Sequence, residues 1–181
     1  MRICAGIHGG RVLKTPQNNI IRPTSDKVRQ AIFNALQSRG LVEDAIVLDA
    51  FCGTGALGLE ALSQGASHAY FFDKNKNSYA LCKENIVLLK EEDRTDLFLI
   101  DATKVKENSL EPANLIFLDP PYHKNLIPVT IDSLVQNNWI SDDAFFVIET
   151  QKDEKIDLSN LDIVFEKEYG DTLIRFAQLN G

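Results

Sequence analysis

Three features are scarce in these 181 residues, and each scarcity removes a class of protein. Cysteine occurs only at Cys4, Cys52 and Cys82, with no CxxC pair. An odd count without metal-ligand spacing argues against a disulfide framework and a zinc site, and it suits reduced thiols in a cytoplasmic chain. Each thiol reads as a small core hydrophobe, and no metal is expected. Long apolar runs are also missing. The start, Met1-Arg2-Ile3-Cys4-Ala5-Gly6, lacks the apolar stretch of a signal peptide, and no segment reaches the length of a membrane span. Positive charge is short overall. Nineteen Lys and Arg face 26 Asp and Glu, giving a net charge of −7, which is not the profile of a globally basic nucleic-acid binder.

The distribution of that charge says something different. Residues 1–39 carry Arg2, Arg11, Lys14, Arg22, Lys27, Arg29 and Arg39 against Asp26 alone, a balance of +6 that leaves −13 for the remainder. Such asymmetry points to a basic N-terminal surface for a polyanion on an acidic body, although a chance cluster on a solvated face would look the same.

With 44% hydrophobic and 25% charged residues, the length suits one α/β domain with a sizeable core. Residues 2–5 and 11–14 read as two short strands of a hairpin around Gly6-Ile7-His8-Gly9-Gly10. Ser25 reads as the N-cap of a helix, with Val28, Ile32, Ala35 and Leu36 at helical spacing and Gly40 ending it. From residue 45 strands and helices alternate. Strands are expected at 45–50, 68–72, 96–100, 115–118 and 144–148, with helices at 56–63, 75–89 and 126–136. The tail, 162–168 and 172–178 around Tyr169-Gly170-Asp171, reads as an antiparallel hairpin. The pattern predicts a doubly wound, seven-stranded Rossmann-like α/β sheet with that hairpin at one end.

Two stretches carry chemistry. In Asp49-Ala50-Phe51-Cys52-Gly53-Thr54-Gly55-Ala56-Leu57-Gly58 a strand runs into a glycine-rich turn and then a helix, the place where open α/β sheets bind ligands. The spacing Gly53-x-Gly55-x-x-Gly58 alone also fits a dinucleotide fingerprint. Asp49 disfavours that reading: a carboxylate at the strand end repels a pyrophosphate but suits the ammonium and sulfonium of S-adenosylmethionine. Asp73, closing the next strand beside Lys74, can accept hydrogen bonds from both ribose hydroxyls. Asp101-Ala102 follow the third strand, where a polar group can meet the adenine amine, and a helix N-cap explains Asp101 equally well.

The second stretch is Asp119-Pro120-Pro121-Tyr122, at the end of the apolar strand Leu115–Leu118. An exocyclic base amine is a poor nucleophile because its lone pair is delocalised into the ring. Two acceptors on its two N–H bonds favour pyramidalisation, and Asp119 with the Pro120 carbonyl can supply them. The prolines bring no N–H and fix their own φ, and each restricts the residue before it. Tyr122 offers a face on which an unstacked base can lie. A tight turn after a strand explains the prolines but not the flanking acid and aromatic.

These motifs resemble the class I methyltransferases that act on amino groups of bases. Arg2-Ile3 with Ala5-Gly6, Gly10-Arg11-x-Leu13, Arg22-Pro23-Thr24-x-Asp26-x-Val28-Arg29, Phe33-Asn34, Gly58-Leu59-Glu60-Ala61-Leu62-Ser63-x-Gly65-Ala66 and Tyr169-Gly170-Asp171-Thr172 narrow the likeness. Together they resemble the ribosomal RNA small subunit methyltransferase D family over essentially the whole chain. The resemblance implies methyl transfer from S-adenosylmethionine to N2 of one guanine of 16S rRNA, in the 30S subunit or its precursor. Asp49, Phe51, Gly53, Gly55, Asp73, Lys74, Asp101 and Ala102 would hold the cofactor, and Asp119, Pro120, Pro121 and Tyr122 the target base. Arg2, His8, Arg11, Lys14, Arg22 and Thr24 would face RNA. Residues 1–40 would form an RNA-facing hairpin and helix, and residues 41–181 the catalytic domain, in one compact monomeric unit. The hairpin tip, Ile7-His8-Gly9, is less basic than is common in that family. An adenine-N6 methyltransferase and a non-catalytic RNA-binding assembly factor remain the alternatives, and an NAD-dependent oxidoreductase a distant one.

Overall fold

The computed structural model of the chain describes residues 1–17 and 24–181. Among these residues seven strands and four α-helices follow one another as α1 (Asp26–Gln37), β1 (Ile46–Asp49), α2 (Ala56–Ser63), β2 (His68–Asp73), α3 (Lys76–Leu89), β3 (Thr95–Leu99), β4 (Ala113–Leu118), α4 (Leu126–Gln136), β5 (Ile140–Gln151), β6 (Leu161–Tyr169) and β7 (Thr172–Leu179). The strands form one sheet in the order β3-β2-β1-β4-β5-β7-β6. The first five run parallel, and β7 pairs antiparallel with both β5 and β6. This is the doubly wound sheet and antiparallel tail that the sequence pattern predicts.

The central strands read as unbroken apolar runs because both faces are covered. Val47, Phe71, Leu115, Phe117 and Val147 turn to one side, with Ile32, Phe33, Leu36, Leu59 and Ile86 from the first three helices. Leu48, Tyr70, Phe72, Ile116, Leu118, Phe146 and Ile148 turn to the other, with Ile127, Ile131 and Leu134 of α4. Ile3, Leu13 and α1 belong to the first cluster, so the N-terminal residues share the core of the sheet. Close approach of α2 to the sheet requires Gly58, where a Cβ would lie 2.4 Å from Phe71 Cε1.

Two elements depart from expectation. The N-terminal hairpin contains one antiparallel bridge, Arg2 with Val12, rather than two strands. The amides of Cys4 and Ala5, which a longer ladder would use, donate instead to the buried carboxylate of Glu60 at 2.8–3.1 Å. Strand β5 is 12 residues long, not five. Its polar start, Ser141-Asp142-Asp143, carries no strand signal, but Ile140 pairs with Ala113 across an irregularity. At its far end β7 pairs with it as far as Gln151.

Candidate active site

Acids stand at the carboxyl ends of the parallel strands. β1 ends at Asp49, β2 at Asp73, β4 is followed by Asp119, and Glu149 lies near the end of β5. Pairing of Asp49 with Phe117 and of Leu118 with Ile148 brings Asp119 and Glu149 to the same level, beside Asp49. A cleft of about 1080 Å³ opens there. Asp49, Phe51, Gly53, Thr24, Lys14 and Asp119, all anticipated from sequence, line it, as do Arg29, Asn75, Leu81 and Met1.

Asp49 is buried, and its Oδ2 accepts the Gly58 N–H at 3.2 Å. Burial pushes its carboxyl up to about 7 in spite of that bond, and the charge of Asp73 adds to the rise. An acid so desolvated is a place for a cationic ligand group. The turn after it needs glycine at 55, where φ is 81° and a Cβ would lie 2.7 Å from Cys82 Sγ. Asp73 holds this turn from the neighbouring strand: its Oδ2 accepts the Gly53 N–H at 3.0 Å and its Oδ1 the Asn75 N–H at 2.9 Å. Each carboxylate oxygen keeps a further lone pair for a ligand hydroxyl. Asp101 caps a short 3-10 turn, Ala102–Lys104, accepting from the Thr103 hydroxyl at 2.6 Å and the Thr103 N–H at 3.0 Å. The Thr103 hydroxyl holds its carboxyl below the usual range. Ala102 is buried behind it, and Lys74 is exposed.

At the end of β4 the arrangement differs. Asp119 is partly buried and, among the described residues, receives no backbone N–H. The Thr24 hydroxyl lies 3.4 Å from Asp119 Oδ2 but 2.6 Å from Glu149 Oε2. Thr24 has one proton to donate, and the shorter bond takes it, which among the described residues leaves Asp119 with vacant acceptor lone pairs. Burial, then the charges of Glu149 and Asp49, hold the Asp119 carboxyl well above the usual range. Burial raises Glu149 as well. The Tyr122 hydroxyl donates to Glu149 Oε1 at 3.2 Å, and burial pushes that phenol up. Pro120 is buried and Pro121 exposed. The loop beyond is tied to the end of β5: the His123 N–H donates to Glu154 Oε1 at 2.8 Å, and its ring meets Gln151 Oε1 at 2.6 Å.

Glu149 was not foreseen. Its signal was present, since it follows the apolar run Ala144–Ile148 just as Asp49, Asp73 and Asp119 follow theirs. Arg29 is read from sequence as one of the basic N-terminal residues and as part of a motif, yet it is fully buried and contributes to the cleft wall.

The basic residues of the N-terminus are not all directed outward. Arg2 donates to the Gly10 carbonyl at 3.2 Å, and Arg11 to the Leu88 carbonyl at 2.5 Å. Lys14 meets Glu84 at 2.7 Å in an exposed pair, a kind of contact that a stronger anion displaces at little cost. His8 turns inward, its ring 2.5 Å from the buried Glu91, which Arg94 also holds. That placement makes His8 a tie between the hairpin and the segment after α3. Arg22 lies outside the described residues.

Similarity to known proteins identifies the family. The family described as Conserved hypothetical protein 95 matches residues 1–178. Ribosomal RNA small subunit methyltransferase D of Haemophilus influenzae is 33% identical over 98% of this chain and 93% of its own length. Its Escherichia coli counterpart is 34% identical over 83% of this chain and 75% of its own. A solved structure of a candidate methyltransferase from Escherichia coli superposes with a TM-score of 0.82 at 30% identity, covering 99% of this chain and 98% of that one. A candidate methylase from Haemophilus influenzae gives 0.79 at 31% identity, with the same coverage. The chain belongs to the Conserved hypothetical protein 95 family, that of the ribosomal RNA small subunit methyltransferase D proteins.

Proposed function

We propose that this protein transfers a methyl group from S-adenosylmethionine to the exocyclic N2 amine of one guanine in small-subunit ribosomal RNA. The observation that carries the reading is the meeting of Asp49 and Asp119 in one cleft. One is a desolvated acid suited to a cation, and the other an acid with vacant acceptor sites beside two prolines. The names of the relatives supply the RNA.

S-Adenosylmethionine supplies an electrophilic methyl group on a sulfonium. The residues of the chain do the rest. Asp49, Phe51, Gly53 and Gly55 would hold its amino-acid end and sulfur, Asp73 with Lys74 the ribose side, and Asp101 with Ala102 the adenine edge. Asp119 and the Pro120 carbonyl would each accept one N–H of the base amine, turning the nitrogen lone pair toward the methyl group. Alignment of this kind provides much of the rate, so Asp119 need not be a strong base. As the amine gains its methyl group it becomes more acidic, and Asp119 is positioned to accept the proton it sheds. Pro121 stiffens the loop, and Tyr122 would lie against the base. Arg2, Arg11 and Lys14, with Arg22 and Thr24 near the base, would meet RNA. The particle would be the 30S subunit or its precursor, met in the cytoplasm by a monomer of this chain.

The test is methyl transfer from labelled S-adenosylmethionine to 30S particles from a strain lacking this gene, followed by nucleoside analysis. Labelled N2-methylguanosine at one site is the expected result. Labelled N6-methyladenosine keeps the amine chemistry and replaces the base. Cofactor binding without label on 30S particles, naked rRNA or DNA refutes catalysis and leaves a binding factor.

A further inference from the structure

Among the described residues two cationic side chains line the cleft, and they differ in what is left free. Lys14 is exposed and paired with Glu84. Arg29 has no exposed surface at all. Its Nε donates to Glu60 Oε2 at 3.2 Å. Its Nη2 donates to the Arg2 carbonyl and, at 2.9 Å, to Asp26 Oδ1, with Cys4 Sγ at 3.7 Å. Its Nη1 is buried and, among the described residues, has no hydrogen-bond partner.

Buried guanidinium nitrogens are ordinarily satisfied, because stripping water from a charged donor without replacing it is costly. Arg29 contributes to the wall of the cleft, and its orphan Nη1 therefore marks where a ligand acceptor belongs. The bonds to Glu60 and Asp26 fix the plane of the guanidinium, so Nη1 is presented without rotamer freedom, and its binding cost is correspondingly low. A planar, charged fork with free N–H groups selects an anionic oxygen, a carboxylate or a phosphate. Complete burial favours the small end of a ligand enclosed in the cleft over an RNA backbone, which keeps contact with solvent.

We propose that Arg29, through Nη1, binds the carboxylate at the amino-acid end of the methyl donor. This rests on the reading of the cleft as an S-adenosylmethionine site. That amino-acid end is a zwitterion, and an acid alone satisfies only half of it. Asp49 offers the negative charge for its cationic groups, and Arg29 the positive charge for its carboxylate. The pair discriminates an amino-acid-bearing nucleoside from one that lacks the carboxylate.

The measurement is calorimetric binding of S-adenosylmethionine and of its decarboxylated form, which keeps the ammonium and sulfonium and loses only the carboxylate. The wild-type protein is expected to favour the intact molecule by about ten- to a hundredfold, the range for hydrogen bonds to charged groups. Arg29→Gln is expected to bind both alike, near the wild-type affinity for the decarboxylated form. Preference retained in Arg29→Gln, or absent from the wild type, overturns the inference. A wild-type protein that binds neither molecule overturns the methyl-donor reading itself, a separate result. Where Arg29→Gln does not fold, nitrogen resonances of the guanidinium in labelled wild-type protein decide. A shift with S-adenosylmethionine and none with the decarboxylated form supports the carboxylate contact. An equal response to both, or a response only to a short RNA, overturns it.

Discussion

Asp49 and Asp119 close neighbouring strands of one sheet and line one cleft, yet they are held in opposite ways. Asp49 accepts a backbone N–H from Gly58, and Asp73 beside it fastens the glycine turn through the Gly53 N–H and the start of α3 through that of Asn75. Among the described residues Asp119 has no such donor, and the Thr24 hydroxyl proton is drawn off by Glu149. A carboxylate pinned by amides is a fixed part of a binding surface. A carboxylate left with vacant lone pairs is ready to accept N–H bonds from something that arrives. In the proposed reading the same residue type at equivalent positions would serve binding at one strand and reaction at the next, and the difference lies in who donates to it.

That contrast can be broken by mutation, and the largest effect is expected at Asp119. Asp119→Ala should lower single-turnover methyl transfer by about 10²- to 10⁴-fold, the range for a positioned proton-accepting group, with S-adenosylhomocysteine affinity unchanged in calorimetry. Retained turnover would remove Asp119 from the chemistry. Asp49→Asn should reverse the pattern, weakening cofactor binding by about ten- to a hundredfold while leaving RNA affinity alone. The same acid sharpens the comparison through pH. Its folded-state value, about 7, lies above its unfolded value of 3.8, so the folded protein binds the proton more tightly. Its contribution to stability is therefore present in full below pH 3.8 and declines as pH rises to about 7. Urea denaturation of the ligand-free protein should find Asp49→Asn more stable than wild type at pH 8 and no more stable at pH 4. Cofactor affinity should fall as pH drops below about 7, because protons then compete with the cationic ligand.

Gly58→Ala probes the donor rather than the acid. A Cβ there meets the Phe71 ring at 2.4 Å and should cost about 1–3 kcal/mol of stability by denaturation, displacing the N–H that Asp49 uses. The smallest effect is expected at the periphery. Arg11→Glu with Lys14→Glu should lower RNA affinity and flatten its dependence on salt, since each lost phosphate contact releases one counterion fewer. An unchanged slope would take the hairpin off the RNA surface.

The strand ends and the helices were legible because they combine unbroken apolar runs with acids and glycines at the turns. α2 and α4 begin and end where the pattern puts them, and Ser25 caps α1 through the Val28 N–H. What was not legible depends on partners remote in sequence. The short hairpin ladder is decided by Glu60, more than 50 residues away. Glu149 acquires its place only when β5 pairs with β4, although the acid after an apolar run was visible. His8 looked available to RNA because nothing nearby in the chain announces Glu91. Charge counting located the N-terminal cations but not their orientation, and Arg29, one of the seven, proved to be wholly inside.

The anchoring of the N-terminus by Glu60 bears on the order of folding. Cys4, Ala5 and Arg29 all bond to one carboxylate of α2. Ile7 and His8 donate to the carbonyl and hydroxyl of Ser63, and Arg11 reaches Leu88. These residues therefore lack their remote partners until α2 and α3 have followed. Their contacts close long loops, which form late and slowly relative to local ones. Until then Ile3 and Leu13, both core residues in the finished protein, have nowhere to be buried. The nascent chain consequently carries a basic, partly apolar segment until α2 and α3 have been made, and the cleft acquires its Arg29 wall only when that segment docks.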